Sequence, residues 1–236
     1  MGTTWSEIIT DYAMVEIDDL RMRAELQDNP ALFFRGMSLY MKNAIPYFNN
    51  PPEMQQWLKN TPPSFADYNW TVPADLTEEE TVVATGQVGY ELMSVQILSV
   101  GNNDVVTATP YGEATYDAET GNVTFPAGLT EGTQFQIDFY TDGQFDNELT
   151  GEEKRILGLC VDYVWSTRFS GNWLNMQPKI QDANFSVGSE ANYTRSQTER
   201  MRQKRIALND EIHKYAQNIA YREIGKAGYL EPYNRL

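Results

Sequence analysis

The sequence predicts an α+β protein: a helical bundle frame with a long C-terminal helix, interrupted by a small β-sandwich-like inserted domain. Three observations predict it. The stretch from Thr71 to Leu149 holds fourteen Asp or Glu and no Lys or Arg, so all eighteen basic residues lie outside it, among nineteen acids. Over the same stretch, helical periodicity gives way to short alternating segments bounded by Gly, Asn and Pro. A charge shift that coincides with a periodicity shift is how an inserted domain looks in sequence. Beyond it, apolar residues recur at heptad-like spacing. The expected division is 1–70 and 150–236 for the helical frame, 71–149 for the acidic insert, and 225–236 for a flexible C-terminal docking tail.

Thr4-x-x-Glu7 is a capping box that satisfies the first amides of a helix. Ile8, Ile9, Tyr12, Ala13, Val15, Ile17 and Leu20 follow at helical spacing, and Asp28-Asn29-Pro30 ends this element and opens the next. The second helix carries Leu32, Phe33, Met37, Tyr40, Met41 and Ile45 and stops near Pro46. Met54, Trp57 and Leu58 after Pro51-Pro52 suggest a short amphipathic helix. The run from Pro63 to Pro73 reads as a linker with anchoring aromatics, Phe65, Tyr68 and Trp70.

Inside the insert, Val88, Tyr90 and Leu92 share one parity and Val95 and Ile97 the other, the mark of a bulge or a buried strand. Thr115 to Phe125 reads as a hairpin, with Asp117 at the turn entry and Gly121 at its end. Phe135, Ile137 and Phe139 alternate with Gln134, Gln136, Asp138 and Tyr140, an amphipathic strand. A small β-sandwich accommodates these strands.

Thr150-Gly-Glu-Glu153 is a second capping box. The helix behind it, with Ile156, Leu157, Leu159, Cys160, Val161, Tyr163, Val164 and Trp165, is apolar around much of its circumference and so central; Ser170-Gly171-Asn172 is expected to break it. Ser189 opens the longest helix, to about Glu223, with Met201, Leu208, Ile212, Tyr215 and Ile219 forming a heptad-like seam. A rod of that length spans about 50 Å at 1.5 Å per residue, more than a small core needs. Gly225 and Gly228 then make a joint before Tyr229, Leu230, Pro232, Tyr233 and Leu236.

The formal charge of −15 argues against non-specific nucleic-acid binding and against an anionic membrane surface. One cysteine excludes an internal disulfide, and the start of the chain lacks the basic and apolar regions of a signal peptide; synthesis and folding in cytosol are expected. No apolar run reaches membrane-spanning length. His213 is the only histidine and reads as a solvated helical residue, and Cys160 as a buried small hydrophobe. No phosphate-cradling loop, dinucleotide fingerprint or nucleophile elbow occurs. Carboxylates abound in the insert, where proximity by chance is expected, so no catalytic, metal-binding or cofactor-binding residue is assigned. Asp117, Glu119 and Asn122 lack the spacing of a calcium loop and read as a turn. Arg195, Arg200, Arg202, Lys204 and Arg205 form a local basic run that could touch a phosphate backbone, but interleaved Glu199, Asp210 and Glu211 and the overall charge favour a solvated or subunit-pairing face. Of Trp5, Trp57, Trp70, Trp165 and Trp173, most are expected in the core or at a junction, with a minority facing a partner.

Ala44-Ile-Pro-Tyr-Phe48 with Pro51-Pro-Glu-Met54 and Asp138-Phe-Tyr-Thr-Asp-Gly143 open a series of matching stretches. Leu149-Thr-Gly-Glu-Glu-Lys-Arg-Ile-Leu-Gly-Leu159, Trp173-Leu-Asn-Met-Gln-Pro-Lys-Ile180 and Phe185-Ser-Val-Gly-Ser-Glu190 continue it. Together they resemble the head–tail connector, or adaptor, proteins of tailed bacteriophages. The resemblance implies a structural virion protein of the neck, assembled in the host cytoplasm. It also implies a twelve-fold ring beneath the portal protein that lines the DNA exit channel, with passing contact to genomic DNA only, and contact with a further neck or tail protein. By the same resemblance, Tyr229, Leu230, Tyr233 and Leu236 would bind the portal, as C-terminal arms of similar adaptors do. The family's usual core is shorter and lacks a β-module, so residues 71–149 are expected to decorate the ring or touch the next neck protein. The alternatives are a carbohydrate- or receptor-binding virion protein that uses the β-module, or a carboxylate-based hydrolase.

Overall fold

A computed structural model describes residues 2–17, 19–74, 80–100, 106–176 and 187–226, without the side chains of 169–176, 187–194, 197 and 223–226. The chain is α+β with a long C-terminal helix. It divides by contacts into two compact units: Met1–Asp18, Leu39–Asn60 and Phe145–Leu236 form one, and Asp19–Ser38 with Thr61–Gln144 the other. The strands thus group with a helical segment from before Pro46, a division drawn differently from the 71–149 boundary.

In the first unit, Thr4 Oγ1 accepts the Glu7 amide at 3.3 Å and opens α1 (Trp5–Glu7). The chain widens into a π-helical stretch, Ile8–Ala13, which closes with the Met14 amide on the Ile9 carbonyl, then tightens into α2 (Met14–Glu16). The element ends at Ile17, short of the expected Asp28. Asp19 caps a separate helix, α3 (Leu20–Asp28), by accepting the Arg21 amide at 2.8 Å. A carboxylate that can cap locally competes with continued helix, and Leu20 is exposed rather than part of the apolar stripe. Helix α4 (Pro30–Ala44) begins on Pro as expected, and a 3₁₀ turn over Ile45–Tyr47 absorbs Pro46. A short helix, α5 (Met54–Trp57), follows. The two-residue strand β1 (Asn60–Thr61) precedes β2 (Ser64–Thr71).

Strand β2 corrects the linker expected from Pro63 to Pro73. Its aromatics are not loose anchors: Ala66, Tyr68 and Trp70 line one pleat face and pack on the core of the second unit. Further strands are β3 (Thr81–Ala84), β4 (Glu91–Val100), β5 (Val106–Pro110), β6 (Thr115–Asp117), β7 (Asn122–Phe125), β8 (Gln134–Thr141) and β9 (Gln144–Phe145). β1 pairs with β9 where the chain leaves and re-enters the first unit. A four-stranded antiparallel sheet runs β2-β8-β4-β5 and a three-stranded one β3-β7-β6. Val83, Val95, Val123, Phe125, Phe135, Ile137 and Phe139 fill one core from both sheets, as in a sandwich. Trp70 lies 4.8 Å from Phe125 and 5.7 Å from Phe135, centroid to centroid.

The parity change in β4 is a bulge: register against β8 shifts between Leu92 and Ser94. The hairpin stands as read. Asp117 accepts the Glu119 amide and the Thr120 hydroxyl at 3.0 and 2.7 Å, and Gly121 turns at φ +69°. Strand β8 departs from the amphipathic reading, since Asp138 and Tyr140 are buried. It is central, paired along both edges by β2 and β4, and aromatic side chains and hydrogen-bond partners cover the face that carries Asp138 and Tyr140. Tyr140 stacks on Phe34 of α4 at 5.5 Å and lies against Phe65 at 5.2 Å. Asp138 accepts from Ser94 at 2.8 Å and Gln136 at 3.1 Å.

The chain then enters α6 (Gly151–Met176), which runs through Ser170-Gly171-Asn172 instead of breaking there. A single Gly in a helix costs only about 1 kcal/mol, which a long helix absorbs. The last element, α7 (Val187–Lys226), continues through Gly225, so the joint expected at that residue is helical. Gly228 and the tail residues Tyr229, Leu230, Tyr233 and Leu236 lie outside the described residues.

Candidate interaction surface

The described chemistry of the first unit is organised by the pairing of α6 with α7. The second capping box forms in full: the Glu153 amide reaches Thr150 Oγ1 at 3.3 Å, and Glu153 Oε2 accepts the Thr150 amide at 2.6 Å. Glu153 also accepts the hydroxyl of Tyr215 through its other oxygen. A carboxylate only 4% exposed is thereby satisfied without a cation. Burial, and then the bond to Glu153, holds the Tyr215 hydroxyl well above its ordinary pKa. Leu208, Ile212 and Tyr215 of the predicted seam are buried, while Met201 and Ile219 are half-buried.

Lys204 does not stand free for a neighbour. Its ammonium donates to both oxygens of Asp162, at 2.8 and 2.7 Å, and to Ser166 Oγ at 2.9 Å. The signal in sequence was Asp162 itself, the one charged residue between Ile156 and Thr167, which requires a partner when buried. The other members of the basic run, Arg195, Arg200, Arg202 and Arg205, are exposed, and Arg202 pairs loosely with Glu199 at 3.7 Å. The structure therefore splits the run into one structural lysine and four outward arginines.

An open groove of about 810 Å³ lies on the same unit, lined by Pro51, Met54, Trp57, Glu153, Tyr215 and Ile219. Trp57 is 41% exposed there, whereas Trp5 is buried and Trp70 and Trp165 are half-buried. The side chain of Trp173 lies outside the described residues. No sequence motif marked the groove, because its residues come from segments some 160 positions apart.

Cys160 is packed in the core, and His213 and Asp117 are hydrogen-bonded within the fold. Burial pushes the Cys160 thiol up to about 12, so it holds little thiolate at neutral pH. His213 is exposed, and its Nδ1 accepts from the Asn50 amide at 3.1 Å. Thr120, then the Glu119 amide, hold the Asp117 carboxyl below its usual range. Glu119 is exposed on the same turn. Among the described residues, no group of three or more His, Cys, Asp or Glu is placed to hold a metal ion. No described helix is long and apolar enough to cross a membrane.

The chain matches no known family model, no curated protein and no solved structure.

Proposed function

We propose that the protein is a head–tail connector of a tailed bacteriophage, a structural ring component between portal and tail, without enzymatic activity. One observation supports this most directly. Helix α7 has 40 residues, yet its buried described side chains are confined to Leu208, Ile212 and Tyr215, while four arginines upstream face solvent. A helix of that length spans about 60 Å at 1.5 Å per residue. An exposed charged length of that kind suits packing between neighbouring copies, where partner carboxylates can pair with the arginine forks. The sequence resemblance in the α6 and α7 segments points the same way. In this reading Tyr229, Leu230, Tyr233 and Leu236 reach the portal protein, and Arg195, Arg200, Arg202 and Arg205 face the next copy.

Electron microscopy of the purified protein, alone and mixed with its portal, tests the proposal. Rings with twelve-fold averages on the portal are the expected result. A protein that stays monomeric and unbound in both preparations would overturn it.

A further inference from the structure

Among the described residues, strand β5 (Val106–Pro110) is an edge of the four-stranded sheet, and all five of its residues are exposed. Its sequence, Val-Thr-Ala-Thr-Pro, is rich in strand formers and carries no charge. Edge strands usually carry lysines, inward charges or a covering segment, because their free amides and carbonyls are templates for another strand. The other edges differ. β2 is half-buried along much of its length, with Asp67 in an ion pair with Arg35 at 3.5 Å, and β3 and β6 have four and three residues.

The register of β5 on β4 fixes which of its groups face outward. The Tyr111 amide donates to the Val95 carbonyl at 2.8 Å, next to the Gln96↔Pro110 pair in the register. Antiparallel pairs alternate between bonded and non-bonded, so Ile97 with Thr109 and Ser99 with Thr107 exchange bonds inside the ladder. The amides of Val106 and Ala108, and the carbonyls of Val106, Ala108 and Pro110, are therefore directed away from β4. On the same pleat face, Val100 and Val106 pair across the strands and are 64% and 58% exposed, leaving an apolar strip beside the open edge.

Charge selects the occupant. The edge belongs to a stretch with fourteen acids and no Lys or Arg, so a second copy offering the same module meets like charge. A strand that carries Lys or Arg meets the opposite field and gains in encounter rate and register. We infer that β5 accepts an extended, lysine- or arginine-bearing segment of a partner protein by strand addition, through the outward amides of Val106 and Ala108. This surface is independent of the α7 face and of the connector reading.

The test uses the full chain with a fluorescein-labelled peptide, Lys-Val-Thr-Val-Lys-Val-Lys, and its counterpart with Glu for each Lys. Saturable binding is expected for the Lys peptide, about tenfold tighter than for the Glu peptide at low salt and weakened by added salt. Amide shifts should centre on Val106 and Ala108. Ala108→Pro removes an outward donor while sparing the ladder, a position where edge strands tolerate proline, and should weaken binding about tenfold. Ala108→Val keeps the donor and should bind like the parent. If Ala108→Pro does not fold, Val106→Pro blocks the other outward amide and carries the same expectation. Equal binding by a folded proline variant, equal binding of the Glu peptide, or no saturable binding would overturn the inference. Self-association in sedimentation velocity that Ala108→Pro abolishes would assign the edge to a second copy and also overturn it.

Discussion

Lys204 and Glu211 show how single side chains on α7 serve the fold. Asp162 is 6% exposed, and its two oxygens are held by Lys204 and Ser166. Breaking a buried pair from one side leaves an uncompensated charge, at about 3–5 kcal/mol when both partners are fully buried. The Lys204 side chain keeps 28% exposure, so Lys204→Met is expected to destabilise by somewhat less, about 2 kcal/mol, in urea unfolding. A residue acting only at a subunit interface would leave monomer stability unchanged. Glu211 accepts from Lys214 at 2.9 Å and from Arg155, and these bonds, Lys214 first, hold its carboxyl below the usual range. Because the folded value is depressed, its contribution is present above the unfolded carboxylate pKa of about 4.3 and is lost as pH falls through the folded value. Glu211→Gln should therefore lower stability near pH 7 by a few tenths to about 1 kcal/mol, and the gap from the parent should close in acid. A gap that does not narrow as the pH is lowered would assign the effect to packing instead.

At the level of elements, the approach of α6 to the N-terminal π-helical stretch depends on a missing side chain. A Cβ on Gly158 would lie 2.9 Å from Tyr12 Cβ and 3.0–3.1 Å from the backbone of Tyr12 and Ala13. Alanine is the better helix former by about 1 kcal/mol, so propensity alone predicts a gain. Backbone cannot yield as a flexible side chain would, and overpacking costs about 1–3 kcal/mol. Gly158→Ala is thus expected to lower the thermal midpoint, and an unchanged or raised midpoint would show that the two segments do not touch as described. Elements set by local chemistry were legible in sequence: both capping threonines, the Asp117–Gly121 turn and the parity change in β4. Those set by competition between neighbours were not. Asp19 ended a helix that periodicity would have continued, and Ser170-Gly171-Asn172 failed to end one that composition would have broken.

For the whole molecule, the tail and the body should separate cleanly in experiment. Truncation after Lys226 removes Tyr229, Leu230, Tyr233 and Leu236, each worth about 1.5–3 kcal/mol of apolar burial when fully covered. On the proposed connector reading, the shortened chain should keep its unfolding midpoint and lose co-sedimentation with portal; undiminished co-sedimentation would move the proposed contact to the face of Arg195 to Arg205. Sequence by itself determined the α+β class, the acidic stretch, the capped helix starts and the apolar seam of α7, because charge, capping and periodicity are written within a few residues of where they act. Tertiary structure decided the rest. β2 became a strand because β8 lies alongside it for eight residue pairs, and Tyr140 was buried because Phe34 stacks on it. Lys204 left the exposed basic run because Asp162, 42 positions away, needed a cation where water is excluded. These outcomes rest on partners distant in the chain, and spacing within one segment carries no record of who the partner will be.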